Sequence, residues 1–277
     1  MTKILLIGDE IVDHYVFTDP VKVSEEAPVL VVRKNDEAKR PGGAANVCKG
    51  LEAMGAIVTP FYGRKSPSVK MRVVVGAQQV LRLDDDNFKG PNLEGGERES
   101  LERMMEKADV IAISDYGKGV WTAEIREMVT EYPKKLVVDP YQMRVEYGPC
   151  ALIKPNKLEL ESVVGFRILD ADTLRTAAQM YMKQAGASTI VVTMGPDGAV
   201  LFDRERYWGQ PFRCPTEATV LTDVTGAGDT MFAVLAYIWG QPNFSKSTAV
   251  RYATKAASIA VRHAGTYVVD RKEVFGK

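Results

Sequence analysis

The sequence predicts a three-layer α/β/α fold with a mostly parallel sheet and a small β lid. Short apolar runs such as 3–7, 110–114 and 189–192 alternate with stretches of helical periodicity. Glycines and polar residues follow several of these runs, at the strand ends where open parallel sheets bind ligands. The 277 residues are enough for one domain with a large core, so we expect a single domain over 1–277.

The composition excludes several classes of function. Thirty-six basic and 36 acidic residues give a formal net charge of +0, so nucleic acid and anionic membranes are not expected partners. The 3 cysteines are far apart and only 2 histidines could assist them, which argues against zinc and disulfide frameworks. The run 4–7 is too short for a signal peptide or a membrane span. We therefore expect a cytoplasmic protein that acts on a small molecule.

The first strand, 3–7, is followed by two acidic residues, Asp9 and Asp13. Both lie beyond the C-terminal end of the strand, where they could bind a ligand or simply form a turn. Residues 15–32 are then predicted to be extended, because Pro20 and Pro28 exclude a helix. This segment is the first part of the expected lid, which takes about 14–34 and 69–85.

Two glycines, Gly42 and Gly43, precede a predicted helix that contains Asn46 and ends at Gly55. Glycines at this place allow close approach of a ligand to the backbone, or they form a plain helix cap. After the strand 57–62, the chain passes almost directly to the next strand, at 69–75.

Residues 70–84 are predicted to form a two-stranded ribbon that turns near Gly76. Lys70, Arg72 and Arg82 alternate with apolar residues and therefore project from one face of the ribbon. These cations could bind the phosphate of a substrate. Alternatively, they only protect an edge strand from pairing with another chain.

Three later strands also end in polar segments. The strand 110–114 leads into a glycine-rich loop that contains Lys118, and the strand 151–154 leads into Asn156 and Glu159, which together have the spacing of a capping box. After the helix 171–184, the strand 189–192 enters a turn with Thr193, Gly195 and Gly198. The alanine-rich helix 245–261 could pack closely on another helix or on an adenine ring.

The most informative segment runs from Asp223 to Thr230. It follows the β-branched run 219–221 and precedes an apolar helix, which predicts strand, tight turn and helix. Gly226, Ala227 and Gly228 leave the turn bare, so that backbone N–H groups at the helix start can bind an anion. Asp229 follows as a proton acceptor, and the pair of features indicates phosphoryl transfer. The alternative is an ordinary turn in which Asp229 only complements the helix dipole.

The segment from Asp223 to Ala233 resembles the C-terminal signature of the ribokinase (PfkB) family of sugar kinases. Three further strings agree with this family in their order along the chain: Gly42-Gly43-x-x-Asn46, Asn156-x-x-Glu159 and the turn at 193–198. The strings 23–29 (VSEEAPV) and 114–119 (SDYGKG) resemble the kinase part of the bacterial heptose 7-phosphate kinases within that family. The resemblance extends from Lys3 to about Val269.

This resemblance implies transfer of the γ-phosphoryl group of ATP to a hydroxyl of a sugar phosphate, with the anomeric hydroxyl of heptose 7-phosphate as the suggested acceptor. Asp229 would be the base, and the N–H groups of Gly226, Ala227 and Gly228 would stabilise the transferred group. The implied sugar or sugar-phosphate ligands are Asp9, Asp13, Gly42, Gly43, Asn46, Lys70, Arg72, Arg82 and Lys118. The implied nucleotide ligands are Asn156, Glu159, Thr193, Gly195 and Gly198.

The resemblance also implies Mg²⁺, organised by Asn156 and Glu159 through water, and K⁺ near Asp223 and Thr225. It implies a homodimer through the β lid, although most relatives carry an additional helix and strand after the position of Tyr62, which leaves the dimer geometry and the substrate open. Two other functions fit the same residues. One is a kinase for a neutral sugar or a nucleoside, and the other is a non-catalytic sugar-phosphate-binding protein.

Overall fold

The computed structural model describes residues 1–63, 66–86, 90–91, 93–141, 144–218 and 221–276. Within these ranges the central sheet has eight strands in the order β12-β11-β10-β9-β8-β7-β1-β4. The strands are β1 (Lys3–Gly8), β4 (Ile57–Phe61), β7 (Val110–Ser114), β8 (Leu136–Asp139), β9 (Leu152–Ile153), β10 (Thr189–Thr193), β11 (Ala199–Asp203) and β12 (Phe212–Cys214). The six strands from β4 to β10 are parallel, whereas β11 and β12 continue the sheet antiparallel.

Helices cover both faces of this sheet and form two separate cores. One core contains α1 (Ala44–Ala53), α6 (Ala227–Trp239), α7 (Lys246–Ala260) and α8 (Arg271–Phe275). The other contains α2 (Glu97–Lys107), α3 (Ala123–Val129), α4 (Lys157–Val164) and α5 (Ala171–Gln184). Alternate side chains of β1 enter opposite cores, Leu6 one and Leu5 the other, as the two-residue period of a strand requires. The predicted three-layer α/β fold is therefore confirmed.

Four strands form the lid: β2 (Glu10–Val23), β3 (Leu30–Gly43), β5 (Ser68–Val75) and β6 (Gln78–Asp85), in the order β3-β2-β5-β6. The lid is larger than the predicted segments 14–34 and 69–85. Its first strand begins two residues after β1, and its second ends immediately before α1. Asp9 links the two sheets, because its N–H donates to the Ser114 carbonyl and its carbonyl accepts from the Ala44 N–H.

One predicted element differs from the structure in its described part, and two short helices were not predicted. The strand predicted at 219–221 falls partly on residues 219 and 220, which lie outside the described residues, and Leu221 is not in a strand. The segment before α6 is instead a loop whose Thr222 and Asp223 N–H groups donate to the Val261 carbonyl. The short helices α3 and α8 were not predicted, because 7 and 5 residues give too little apolar periodicity.

The parallel strands all end at the same edge of the sheet, beneath the lid. Loop 115–119 follows β7, Asp139 closes β8, Lys154 follows β9 and Thr193 closes β10. Helix α6 also begins at this edge. Among the helices of the described ranges, none has both the length and the apolar character needed to span a bilayer.

Candidate active site

Two adjoining cavities lie at the C-terminal edge of the sheet. The first is polar, has a volume of about 490 Å³, and is bordered by the lid, the ends of β7 to β10 and the start of α6. The second is largely apolar, about 290 Å³, and lies between α6, α7 and the turn after β10. Thr193 and Gly228 border both cavities, so one elongated ligand can occupy the two together.

Asp229 borders the polar cavity in the first turn of α6, and only 7% of the residue is exposed. Its Oδ2 accepts a hydrogen bond from Asn46 Nδ2 at 2.8 Å, and its Oδ1 accepts one from the Tyr116 hydroxyl. Burial raises the pKa of the carboxyl above its ordinary value, and the two hydrogen bonds oppose this rise. Asp229 is thus a carboxylate with an increased proton affinity at the edge of a ligand-sized cavity.

The start of α6 has the features of an anion site, with one departure from the prediction. Gly226 has a left-handed backbone (φ 78°), and a Cβ there would lie 2.8 Å from Asn46 Nδ2, so glycine is required. No side chain of the described residues caps the helix. The Ala227 N–H, however, already donates to the Val224 carbonyl at 3.2 Å. Of the residues at the turn, Gly228 borders both cavities and is the better placed to donate to an anion.

A buried ion pair between Lys154 and Asp139 was not predicted. Lys154 Nζ lies 2.8 Å from Asp139 Oδ1, and both side chains border the polar cavity. Burial raises the pKa of Asp139 to about 7, although Lys154 opposes the rise. The ammonium group also lies 3.8 Å from the place of a Cβ on Gly228. A positive charge therefore lies beside the helix start that would bind the anion.

Asn156 and Glu159 form a complete capping box at the start of α4. The Asn156 N–H donates to Glu159 Oε2 at 2.7 Å, and the Glu159 N–H donates to Asn156 Oδ1 at 2.8 Å. Burial raises the pKa of Glu159, with Lys154 opposing. Both residues also border the polar cavity. The structural role is therefore present, and the position of the pair is compatible with the predicted nucleotide role as well.

Asp9 has a structural role that was not predicted. The residue is fully buried, and its carboxylate accepts the backbone N–H groups of Tyr116, Lys118 and Val120. These three bonds fix the loop after β7. The predicted contact of Asp9 with the sugar stays a prediction.

Asp13, Gly42 and Gly43 come together at the base of the lid. Asp13 is 5% exposed and binds Arg72, whose Nη1 lies 2.6 Å from Asp13 Oδ1. A Cβ on Gly42 would lie 2.4 Å from Asp13 Oδ2, and one on Gly43 would lie 2.7 Å from the Asp9 carbonyl. Packing alone thus requires both glycines. Their predicted contact with a sugar stays a prediction.

The predicted phosphate-binding cations do converge at the lid, but several already have acidic partners. Arg72 binds Asp13, Arg82 binds Asp84, and Lys118 binds Asp86. Lys70 differs, because its ammonium group lies 5.7 Å from the centre of the Tyr116 ring. Burial lowers the pKa of Lys70, and Asp13 opposes this effect. Lys70, Arg82 and Lys118 border the polar cavity, whereas Arg72 lies deeper against Asp13.

The predicted nucleotide residues border the apolar cavity. Thr193, Gly195 and Gly198 form its wall on the β10 side. Thr254 and Ser258 of α7 lie on the opposite wall, and the Thr254 hydroxyl is buried without a hydrogen-bond partner in the part of the chain that is described. Thr254 was not a predicted site residue, because the alanines around it indicated close helix packing.

Asp223 lies in the loop before α6. Its Oδ1 accepts from the Thr225 N–H at 2.9 Å, and its Oδ2 accepts from the Gly265 N–H at 2.8 Å. Although burial alone would raise the pKa of Asp223, the bonds from Thr225 and Gly265 lower it. No group of three or more histidine, cysteine, aspartate or glutamate side chains arranged to bind a metal occurs within the described ranges.

Part of the chain matches a known family, and curated relatives match almost all of it. Residues 142–272 match the pfkB family carbohydrate kinase domain. The bifunctional protein HldE of a Nitratiruptor species is 31% identical, over 98% of this chain and 64% of that protein. HldE of Helicobacter hepaticus is 33% identical, over 98% of this chain and 63% of that protein. The chain therefore spans less than two thirds of the length of these curated relatives.

Solved structures with the same fold cover almost the whole chain. Phosphofructokinase-2 from Escherichia coli in complex with potassium superposes with a TM-score of 0.75 at 20% identity, over 99% of this chain and 96% of that chain. Ribokinase from Arabidopsis thaliana, complexed with ribose and ATP, gives a TM-score of 0.76 at 17% identity, over 99% and 97%. At these identities the similarity establishes the fold, and the site must be argued from its own residues.

Proposed function

Residues 142–272 belong to the pfkB family of carbohydrate kinases, and from this premise we propose that the chain is one ATP-dependent kinase domain that phosphorylates a sugar phosphate. The observation that supports this most strongly is the position of Asp229. A buried carboxylate with a raised proton affinity borders the same cavity as the bare start of α6. These are the two elements that phosphoryl transfer to a hydroxyl needs from the protein.

In the proposed reaction, Asp229 accepts the proton of the sugar hydroxyl while the hydroxyl oxygen attacks the γ-phosphorus of ATP. The bond between this phosphorus and the β,γ-bridging oxygen breaks, and ADP leaves with the electron pair. The Gly228 N–H and the Lys154 ammonium group lie on the side of the cavity where negative charge develops. Because the site is largely buried, both groups would interact with the negative charge of the transition state more strongly than they would in water.

The apolar cavity is the proposed site of the adenine ring, with the triphosphate directed toward Gly228 in the polar cavity. Thr193, Gly195 and Gly198 would contact the nucleotide from one side, and α7 from the other. The complex of ribokinase with ribose and ATP supports ATP as the donor. A kinase of this type is expected in the cytoplasm, where ATP is supplied.

Mg²⁺ is compatible with the donor set, provided that it binds mainly through water and phosphate oxygens. Asn156 Oδ1 and Glu159 Oε2 are used by the capping box, and Asp139 Oδ1 is paired with Lys154. Glu159 Oε1 and Asp139 Oδ2 would be available to the cation or to its waters. A hard cation that keeps most of its waters suits so few ligands. When bound, Mg²⁺ would neutralise the nucleotide phosphates.

K⁺ near Asp223 and Thr225 is also proposed. Each Asp223 oxygen accepts one backbone N–H bond and keeps a further lone pair for a cation. A protein of the same fold, phosphofructokinase-2, was solved in complex with potassium. A cation there would stabilise the loop that leads to Gly226.

Heptose 7-phosphate, phosphorylated at its anomeric hydroxyl, is the proposed acceptor. The strings 23–29 and 114–119 resemble the heptose kinase branch, and the curated relatives HldE support the same branch. Lys70, Arg82 and Lys118 supply positive charge around the outer part of the polar cavity. Asp13, Gly42 and Gly43 would contact the sugar ring from the base of the lid, and Asn46 would act through its hydrogen bond to Asp229.

One observation favours a second candidate, a kinase for a neutral sugar or a nucleoside. Arg72, Arg82 and Lys118 each have an acidic partner in this structure. A phosphate would have to compete with these carboxylates for the cations. The acceptor assay below distinguishes the two candidates.

A homodimer through the lid is proposed as well. The edge strand β6 is exposed along its whole length, and it presents Leu81 and Leu83, which are 58% and 57% exposed. Exposed apolar side chains on an edge strand favour association with another sheet. Light scattering of the parent, compared with a Leu81→Lys, Leu83→Lys variant, would test this assembly.

The function itself is tested by measuring ADP formation with a panel of acceptors. The panel contains heptose 7-phosphate, fructose 6-phosphate, their dephosphorylated forms and a nucleoside, each with ATP and Mg²⁺. Phosphorus NMR of the product identifies the hydroxyl that is phosphorylated. Transfer to heptose 7-phosphate at the anomeric position is expected. If no acceptor is phosphorylated although ATP and sugar phosphate bind, the chain is a sugar-phosphate-binding protein.

A further inference from the structure

Both oxygens of the Asp229 carboxylate accept a hydrogen bond from the protein. Asn46 Nδ2 donates to Oδ2, and the Tyr116 hydroxyl donates to Oδ1. Burial and the nearby Asp229 raise the pKa of Tyr116 well above its ordinary value, so the phenol keeps its proton and can donate. Asp229, the proposed base, is therefore already hydrogen-bonded to the hydroxyl of a protein side chain.

The two donors differ in their position relative to the polar cavity. Tyr116 borders this cavity together with Asp229, whereas Asn46 borders a crevice of about 10 Å³ on the side of α1 and α6. A hydroxyl that enters from the polar cavity therefore approaches the Tyr116 side of the carboxylate. Asn46 can keep its hydrogen bond to Asp229 during the reaction, whereas the Tyr116 hydroxyl must leave Asp229 when the acceptor hydroxyl binds.

We propose that the Tyr116 hydroxyl occupies the place of the acceptor hydroxyl on Asp229 and excludes water from the base until a sugar displaces it. This inference rests on the proposed kinase function. In this proposal, Tyr116 determines whether a sugar hydroxyl or water reaches Asp229 as the acceptor of the phosphoryl group. Tyr116 was not a predicted site residue, because no sequence pattern in its loop indicates a contact with a residue 113 positions away.

The chemical need for such a residue follows from the proposed mechanism. Water that occupies the position of the sugar hydroxyl can give its proton to Asp229 and attack the γ-phosphorus. The bond from this phosphorus to the bridging oxygen then breaks, so that ATP and water become ADP and inorganic phosphate. A kinase must suppress this reaction, and excluding water from the base is one way to do so.

The surroundings of Tyr116 favour movement of the side chain over movement of the loop. Asp9 fixes the backbone by accepting the N–H groups of Tyr116, Lys118 and Val120. On the lid side, the Lys70 ammonium group lies 5.7 Å from the centre of the ring. A sugar phosphate that attracts Lys70 would remove this cation–π contact. Binding of the acceptor would thus release the ring from the lid as it displaces the hydroxyl from Asp229.

The test compares ATP hydrolysis without sugar in the parent, in Tyr116→Phe and in Tyr252→Phe. The last variant removes the same atom from a tyrosine of α7 that packs on Phe275, away from both cavities. Because a general base contributes roughly 10²–10⁴-fold to a rate, we expect Tyr116→Phe to hydrolyse ATP at least about tenfold faster than the parent. Its kcat for sugar phosphorylation should stay within a few-fold of the parent, and its KM for the sugar should not rise.

The double variant Tyr116→Phe, Asp229→Asn identifies the source of the added hydrolysis, which should disappear with the base. Hydrolysis that persists without Asp229 would overturn the proposal. Parental hydrolysis in Tyr116→Phe would also overturn it, and a lowered kcat in the same variant would mean that Tyr116 only orients Asp229. If Tyr116→Phe does not fold, Tyr116→Leu is measured in the same way and judged by the same outcomes. If the parent binds ATP but phosphorylates no sugar, the proposed kinase function is wrong. The ratios of ATP hydrolysis between the variants and the parent test only the role of Tyr116.

Discussion

Arg72 and Asp13 bind each other at the base of the lid, with Nη1 2.6 Å from Oδ1. The two residues lie on the parallel strands β5 and β2, and both side chains are mostly buried. From the sequence, one is a predicted phosphate ligand and the other a predicted ligand of sugar hydroxyls. Since a charge that is paired and buried is not free for a second anion, Arg72 is better suited to orient Asp13. Lys70 and Lys118 border the polar cavity and are the remaining candidates for the substrate phosphate, although a phosphate would have to displace Asp86 from Lys118.

The assignment of the base predicts the behaviour of Asp229→Asn. Asparagine preserves the shape of the side chain and one oxygen but cannot accept the proton. We expect kcat to fall by roughly 10²–10⁴-fold, while the dissociation constant of ATP, measured by calorimetry, changes little. A matched control is Asp203→Asn, a buried carboxylate at the end of β11 with no part in either cavity. A turnover within a few-fold of the parent would remove Asp229 from the mechanism.

The two roles of Glu159 can be separated with Glu159→Gln. Glutamine completes a capping box as glutamate does, so the melting temperature should stay close to that of the parent. The loss of negative charge should raise the Mg²⁺ concentration required for half-maximal activity. Titration of activity with Mg²⁺ at a fixed ATP concentration is the measurement. An unchanged Mg²⁺ requirement would leave Glu159 with the capping role alone.

Much of this fold could be predicted from the sequence because the inner strands of the central sheet, such as β1, β7 and β10, are short, apolar and buried on both faces. The pair of Asp139 and Lys154 could also have been found, since each follows directly on residues that are paired in register, Val138 and Ile153. Contacts such as Tyr116 with Asp229 could not. They join residues that are far apart in the chain, and they depend on side-chain directions that no spacing records.

The segment that leads to α6 could not be predicted from composition alone. Residues 219 and 220 lie outside the described residues, and from Leu221 the chain is a loop in which Thr222 and Asp223 donate their N–H groups to the single carbonyl of Val261. A tertiary contact with the end of α7 therefore fixes Thr222 and Asp223, and local strand propensity contains no information about such a contact.

The unpartnered hydroxyl of Thr254 predicts opposite effects on binding and on stability. Thr254→Val keeps the shape of the side chain and removes a buried hydroxyl that has no partner within the described residues. Without ligand, the variant should be as stable as the parent or more stable, because a buried polar group without a bond is costly. If the hydroxyl binds the nucleobase, the KM for ATP should rise by roughly fivefold to tenfold, and the KM for the sugar should not change. A KM for ATP equal to that of the parent would refute this contact.

The final prediction concerns the phosphate of the acceptor, which decides between a sugar phosphate and a neutral sugar. Lys118 borders the polar cavity and is bound to Asp86, so a phosphate must replace this carboxylate. A charge-assisted hydrogen bond contributes about 2 kcal/mol, or roughly 30-fold in binding. Lys118→Met should therefore raise the KM for a sugar phosphate by about this factor. The KM for ATP and the KM for the dephosphorylated sugar should remain close to those of the parent.

Arg72→Met provides the matched comparison, because it removes a cation that is bound to Asp13. Its effect should reach the phosphorylated and the dephosphorylated sugar alike, since in the proposed function both would use Asp13 to bind their hydroxyls. Lys183→Met, on the outer surface of α5, controls for the loss of a positive charge. The measurement is kcat and KM for each variant with one sugar phosphate and its dephosphorylated form. Loss of a distal contact that only binds the substrate raises KM, whereas loss of a contact that also orients the reacting hydroxyl lowers kcat as well. Equal turnover of both sugars by the parent, with Lys118→Met affecting neither, would establish the neutral-sugar kinase in place of the sugar-phosphate kinase.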